Sequence, residues 1–222
     1  MSKDKKGKGM GDGLRYFLFT IVVILVVSLI GYGAFKLLDN KEETEKPKEV
    51  VKVNEKEIKG YGIFIDDSDT TLYKDEYKLL EANLTGDEIN YDEYAKSVAK
   101  MFIIDLYTIK NKVNKYDVGG LDFIYKPAKD NYITNVTDTI YKFVEDNATG
   151  EREQQLPVVK SINVDKIEKT KFKQMKYKKV VKEFDAYKVN LTWTYSIDLG
   201  YDTTGEVIVI NDNNKLYVVE KN

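Results

Sequence analysis

One apolar run, Tyr16 to Phe35, divides this chain. It reads YFLFTIVVILVVSLIGYGAF and carries no charge. As a helix rising ~1.5 Å per residue it would span about 30 Å, the thickness of a bilayer's hydrocarbon core. A cleaved secretory signal has a shorter apolar core and a small-residue cleavage site. Gly31, Gly33 and Ala34 lie inside the run and make no such site. The expectation is an uncleaved transmembrane helix over 16–38. Lys3, Lys5, Lys6, Lys8 and Arg15 precede it, so residues 1–15 read as a cytoplasmic basic tail by the positive-inside rule. The C-terminal domain is then extracytoplasmic, and the protein a single-pass protein of the cell membrane.

Residues 39–59 are charged, mixed in sign and contain Pro47, as a linker does. Residues 60–222 are long enough for one ordinary domain. Aromatics make up 12% of the chain, enough to build a packed core and to argue against disorder. There is no histidine and no cysteine. That removes the commonest general base, thiol nucleophiles, disulfides and structural zinc. No cofactor or metal is expected. The tail has five Lys/Arg against two Asp, a net of +3, which leaves −5 of the overall −2 for the rest of the chain. Nucleic acid is a poor partner for a domain of that sign.

Tyr61–Ile65 reads as a short strand. Asp66, Asp67, Ser68 and Asp69 read as a turn and helix cap, lacking the glycine and distal glutamate of a calcium loop. Leu72, Tyr73, Tyr77, Leu80 and Leu84 recur at helical spacing. A longer helix is predicted over Tyr91–Asn111, with Asn90 as its cap and Glu93 at capping-box spacing. Its apolar stripe is Tyr91, Tyr94, Ala95, Val98, Phe102, Leu106 and Ile109. Gly119-Gly120 marks a turn that needs positive φ or close backbone approach. Asn131–Glu145 reads as a further helix. After Gly150 the period changes to two. From Tyr187 to Leu199 every odd position is apolar and every even one polar, predicting a long half-buried strand. Val207–Ile210 and Leu216–Val219 read as a hairpin across Asp212, Asn213 and Asn214. Helices followed by antiparallel strands imply an α+β domain, its helices packed on one face of a curved antiparallel sheet.

The segments KSVAKMFIIDLYTIKNK, NYITNVTDTIYKFVEDN and AYKVNLTWTYSIDL together resemble the cystatin-like cone typified by nuclear transport factor two. A cone behind one membrane anchor is similar to the bitopic scaffold subunit of type IV secretion and conjugation machines. It is also similar to uncharacterised single-pass Gram-positive membrane proteins, through Phe102–Thr108, Asp117–Leu121 and Gln155–Val159. The resemblance implies self-association and protein partners, and it carries over no catalytic residue.

Two features invite a functional reading. Asp105 falls within the apolar stripe, where a carboxylate is costly unless paired. It reads either as a cavity-facing acid, with Trp193 and Tyr195 lining a ligand site, or as a structural acid bonded to a neighbouring loop or tyrosine. Lys166, Lys169, Lys171, Lys173, Lys176, Lys178, Lys179 and Lys182 crowd one stretch opposed by Glu168 alone. They read either as a basic face for wall polymer or lipid headgroups, centred on Lys176, Lys178 and Lys179, or as edge lysines that prevent aggregation. The leading expectation is a non-catalytic, membrane-anchored interaction domain of a cell-envelope assembly. A ligand-binding or enzymatic cone using Asp105, and a polymer or lipid binder using the lysines, are the alternatives.

Overall fold

A computed structural model describes residues 56–177 and 179–222. The basic tail, the apolar run, most of the linker and Lys178 lie outside the described residues. No helix of the described residues is long and apolar enough to cross a membrane.

The domain is α+β, with three helices packed against a four-stranded antiparallel sheet. It begins with a small antiparallel pair, β1 (Lys56–Ile58) and β2 (Ile63–Ile65). Ile58 is buried, so the tail end of the charged linker already belongs to the folded unit. Helix α1 (Thr71–Thr85) buries Tyr73, Tyr77, Leu80 and Leu84 on one face. Its cap is Thr70, one residue beyond the expected acidic cluster: Thr70 Oγ1 accepts from the Tyr73 amide at 3.2 Å. Asp66 and Asp69 instead tie their own turn, Asp69 Oδ2 accepting from the Asp66 amide.

Helix α2 (Tyr91–Tyr107) is the centre of the described domain. Asn90 Oδ1 caps it by accepting from the Asp92 and Glu93 amides. The capping box expected from Glu93 does not close, because the Asn90 amide donates to Asn83 Oδ1 at 2.9 Å and the Glu93 carboxylate pairs with Lys96. Beyond the expected stripe, Ala99, Met101, Ile103 and Ile104 are also buried, since α2 is covered by α1 on one side and the sheet on another. A helix apolar on most sides is the signature of that central position.

Helix α3 (Lys129–Asp138) stops well short of Glu145. Thr134, Thr137 and Thr139 return their hydroxyls to carbonyls one turn back, which weakens a helix. The chain then turns so that Tyr141 is fully buried, its hydroxyl donating to the Leu106 carbonyl at 2.7 Å. Phe143, counted as apolar helix face, is exposed.

The sheet runs β3 (Val159–Lys176), β4 (Lys179–Tyr195), β5 (Thr204–Asp212), β6 (Lys215–Lys221) in sequence order, each neighbour antiparallel. The predicted odd-numbered face holds: Tyr187, Val189, Leu191 and Trp193 are buried, joined by Val207, Val209, Leu216 and Val218. The strand ends at Tyr195, so Ile197 and Leu199 lie in an exposed loop. It also begins eight residues earlier than Tyr187, where burial moves to the opposite face. There Phe184, Ala186, Ile208 and Ile210 form a second small core under Tyr125, Phe172, Tyr217 and Val219. Asn213 and Asn214 both take positive φ, the tight-turn geometry that joins β5 to β6.

Candidate functional site

Asp105 projects from the last turn of α2 into a loop junction. Its Oδ1 meets Lys112 Nζ at 2.5 Å and its Oδ2 accepts the Gly120 amide at 2.6 Å. Gly119 packs so close that a Cβ there would lie 2.2 Å from the Asp105 carbonyl oxygen. Gly120 takes φ +79° with Phe102 against it. The double glycine is therefore required twice, once for close approach and once for a left-handed turn.

A cavity of about 120 Å³ opens beside this junction, lined by Asp69, Tyr73, Asp105, Lys112 and Asp117 among others. Lys112 is 8% exposed. Burial pushes its ammonium toward neutrality, but Asp105, Asp117 and Asp69 more than reverse this, and its pKa rises above the usual lysine value. The nearby phenols of Tyr73, Tyr132 and Tyr141 are pushed well up by burial first and by the Asp105 charge as well. The junction thus sets a buried ammonium and phenols held in their neutral form around the Asp105 carboxyl group. Among the described residues no group of three or more His, Cys, Asp or Glu is placed to hold a metal.

Neither Trp193 nor Tyr195 lines this cavity. Trp193 is buried against Tyr107, ring centroids 5.3 Å apart. Its Nε1 donates to Tyr195 Oη at 2.7 Å, and that hydroxyl donates to the Asp202 carbonyl at 2.6 Å. Trp193 and Tyr195 come together with one another and with Tyr107, apart from Asp105.

The lysine stretch forms the outer half of a long hairpin. β4 pairs with β5 from Ala186 to Thr192, so from Asp185 outward β3 and β4 pair with each other alone. Beyond the Phe172–Phe184 pair every described residue from Lys173 to Glu183 except Gln174 is exposed. The charge is less concentrated than the sequence suggested. Lys166 pairs with Glu168, Lys169 with Asp92, Lys171 with Asp185, Lys173 with Glu183 and Lys182 with Asp212. Among the described residues no carboxylate pairs with Lys176 or Lys179. Lys178 lies outside the described residues.

Comparison with protein-family models, curated proteins and solved structures returned no match.

Three residues escaped sequence reasoning. Lys112 is one lysine among Lys110 and Lys115, and nothing local marks it as the buried one. Tyr141 was absorbed into a helix that ends before it. Arg152 did leave a signal: it is the sole arginine after the apolar run. Its guanidinium donates to the carbonyls of Lys110, Lys112 and Glu145, clamping the irregular segment before β3. A planar fork reaches several carbonyls at once where an ammonium does not.

Proposed function

We propose that this chain is a single-pass membrane protein holding a cystatin-like cone outside the cytoplasm. In this reading it is an interaction scaffold of a cell-envelope assembly and not an enzyme. The apolar run and basic tail support the tether and its orientation, and the segments that resemble the cone support the finer fold. The observation that carries the non-catalytic reading is the state of Asp105. Both its oxygens are engaged, one by a buried ammonium and one by a backbone amide. An acid–base group needs a pKa near the working pH and a free path to its substrate. A carboxylate held by Lys112 lacks that freedom, and the tyrosines around it stay protonated.

The test is crosslinking in intact cells. The chain has no cysteine, so Leu79→Cys and Phe143→Cys, both at exposed sites, each take one photo-crosslinker. Adducts larger than the monomer, to a second copy or to another envelope protein, are the expected result. Recovery of monomer alone from both positions overturns the scaffold reading.

The ligand-binding alternative has one observation in its favour, the cavity beside Asp105. A folded Asp105→Asn variant that loses its cellular role while keeping its crosslinked partners would favour it over the scaffold.

A further inference from the structure

The apolar side chains left in water are scattered over the described surface, with one exception. Met175, Tyr177, Val180 and Val181 are all exposed and all sit at the end of the β3–β4 hairpin. Met175 and Val180 face each other across the ribbon. The lysines interleaved with them, Lys176 and Lys179, pair with no carboxylate of the described residues. From Gln174 to Lys182 the sequence contains no acidic residue. The ion pairs of Lys166, Lys169, Lys171 and Lys173 neutralise the shaft of the arm and leave positive charge at its end.

Tyr177 adds an independent observation. It is 90% exposed and takes φ +49°, a left-handed conformation in which an L residue with a Cβ is strained. The other hairpin of the sheet meets the same demand with Asn213 and Asn214, which tolerate it. The Tyr177 ring is held out in water on a strained backbone, and the neighbouring Lys176 ammonium lies 5.8 Å from its centroid.

We propose that the tip of this arm docks on an anionic lipid surface, with Tyr177 and its aliphatic neighbours in the headgroup layer and Lys176 and Lys179 on lipid phosphates. The combination of residues selects this occupant. Tyrosine rings favour the membrane–water interface. Lysine stems lie along apolar surface while their ammonium groups reach phosphate. A soluble polyanion would use the lysines and leave the apolar side chains wet. The chain after the basic tail carries −5, so an anionic surface repels most of the domain and accepts this end of it. The inference shares with the proposed function its membrane tether and nothing else.

The test uses the full chain in vesicles that contain no other protein. Val181→Cys labelled with an environment-sensitive fluorophore reports on the tip, and Phe143→Cys serves as a control away from it. In vesicles of phosphatidylcholine with phosphatidylglycerol the tip label brightens and shifts to the blue. In phosphatidylcholine alone, and at the control position in both, it stays water-like. The shift fades as salt shortens the Debye length from about 10 Å at 0.1 M. Each lysine near an anionic surface contributes about fivefold to the docked ratio, so Lys176→Gln with Lys179→Gln lowers it roughly twenty-five-fold. If the double variant misfolds, the salt titration on the unsubstituted lysines decides alone. A water-like tip label in the anionic vesicles overturns the proposal. So does a response to soluble polyphosphate in neutral vesicles exceeding that to phosphatidylglycerol, which would make the tip a polymer reader. Because no partner protein is present, failure here leaves the crosslinking result intact, and the reverse holds too.

Discussion

The Lys112 ammonium lies 2.5 Å from Asp105 Oδ1, and the two form a nearly buried ion pair at the C-terminal end of α2. The pair joins three separate stretches, since the other oxygen of Asp105 holds the Gly120 amide. Such pairs stabilise little relative to well-packed apolar residues, yet breaking one side strands a buried charge. Asp105→Asn is expected to lower unfolding stability by about 3–5 kcal/mol in urea titrations. Adding Lys112→Met to Asp105→Asn should recover a large part of it. A double variant no more stable than the single one would mean that the carboxylate acts chiefly through Gly120.

Alkaline pH should unfold the domain early. Lys112 has a raised folded pKa, so its contribution is complete below the unfolded value of 10.5 and disappears as pH rises through the folded one. Tyr73, Tyr132 and Tyr141 are raised well above 10.0, and Tyr77 to about 12, all chiefly by burial. Their phenols ionise first in the unfolded chain, so they too favour unfolding as pH climbs past 10.0. Both effects have one sign. The urea midpoint should stay flat from neutral pH to near 10 and then fall, less steeply in Tyr141→Phe.

The two adjacent glycines should differ when replaced by alanine. At Gly119 the new methyl would meet the Asp105 backbone, which cannot move without displacing α2. The cost is about 3 kcal/mol, at the upper end for overpacking. At Gly120 the strain is a left-handed φ, and the new methyl would meet the Phe102 ring and the Tyr132 hydroxyl, side-chain atoms rather than backbone. Roughly 1–2 kcal/mol is expected there. Denaturation midpoints in the order Gly120→Ala above Gly119→Ala check the assignment.

Asn90 and Glu93 should be unequal partners in capping α2. Asn90→Ala loses the side-chain cap on the Asp92 and Glu93 amides, at about 1 kcal/mol, while the backbone of residue 90 keeps its two bonds to the Asn83 side chain. Glu93→Ala removes a half-exposed pair with Lys96 and no capping bond, so its effect stays within about 0.5 kcal/mol. Comparable losses in the two variants would restore the capping box.

At the arm tip, Tyr177→Gly removes backbone strain and should raise the thermal midpoint slightly, by about 1 kcal/mol of stability. A gain in stability from Tyr177→Gly together with a weaker blue shift of the tip label in the anionic vesicles would separate what the fold needs from what the site needs.

Much of this architecture could be read along the chain. Asn90 and the stripe after it marked α2, the odd-numbered apolar positions from Tyr187 marked the inner face of β4, and the glycine pair marked a constrained turn. These features are local, set by side-chain period and backbone sterics within a few residues. Three others depended on partners distant in sequence. Asp105 was visibly out of place, but its partner Lys112 lies past the helix end and looks like its neighbours. The lysine stretch looked uniformly basic until pairing in register set Lys171 beside Asp185 and Lys173 beside Glu183, leaving Lys176 and Lys179 at the tip. β4 looked shorter at its start because burial changes face at Ala186, and no single alternating pattern covers a strand with cores on both sides. Periodicity therefore determined which segments are helix or strand and which face of each is apolar. Tertiary structure decided which charges are neutralised and which remain, because burial and pairing depend on groups that only folding brings within reach.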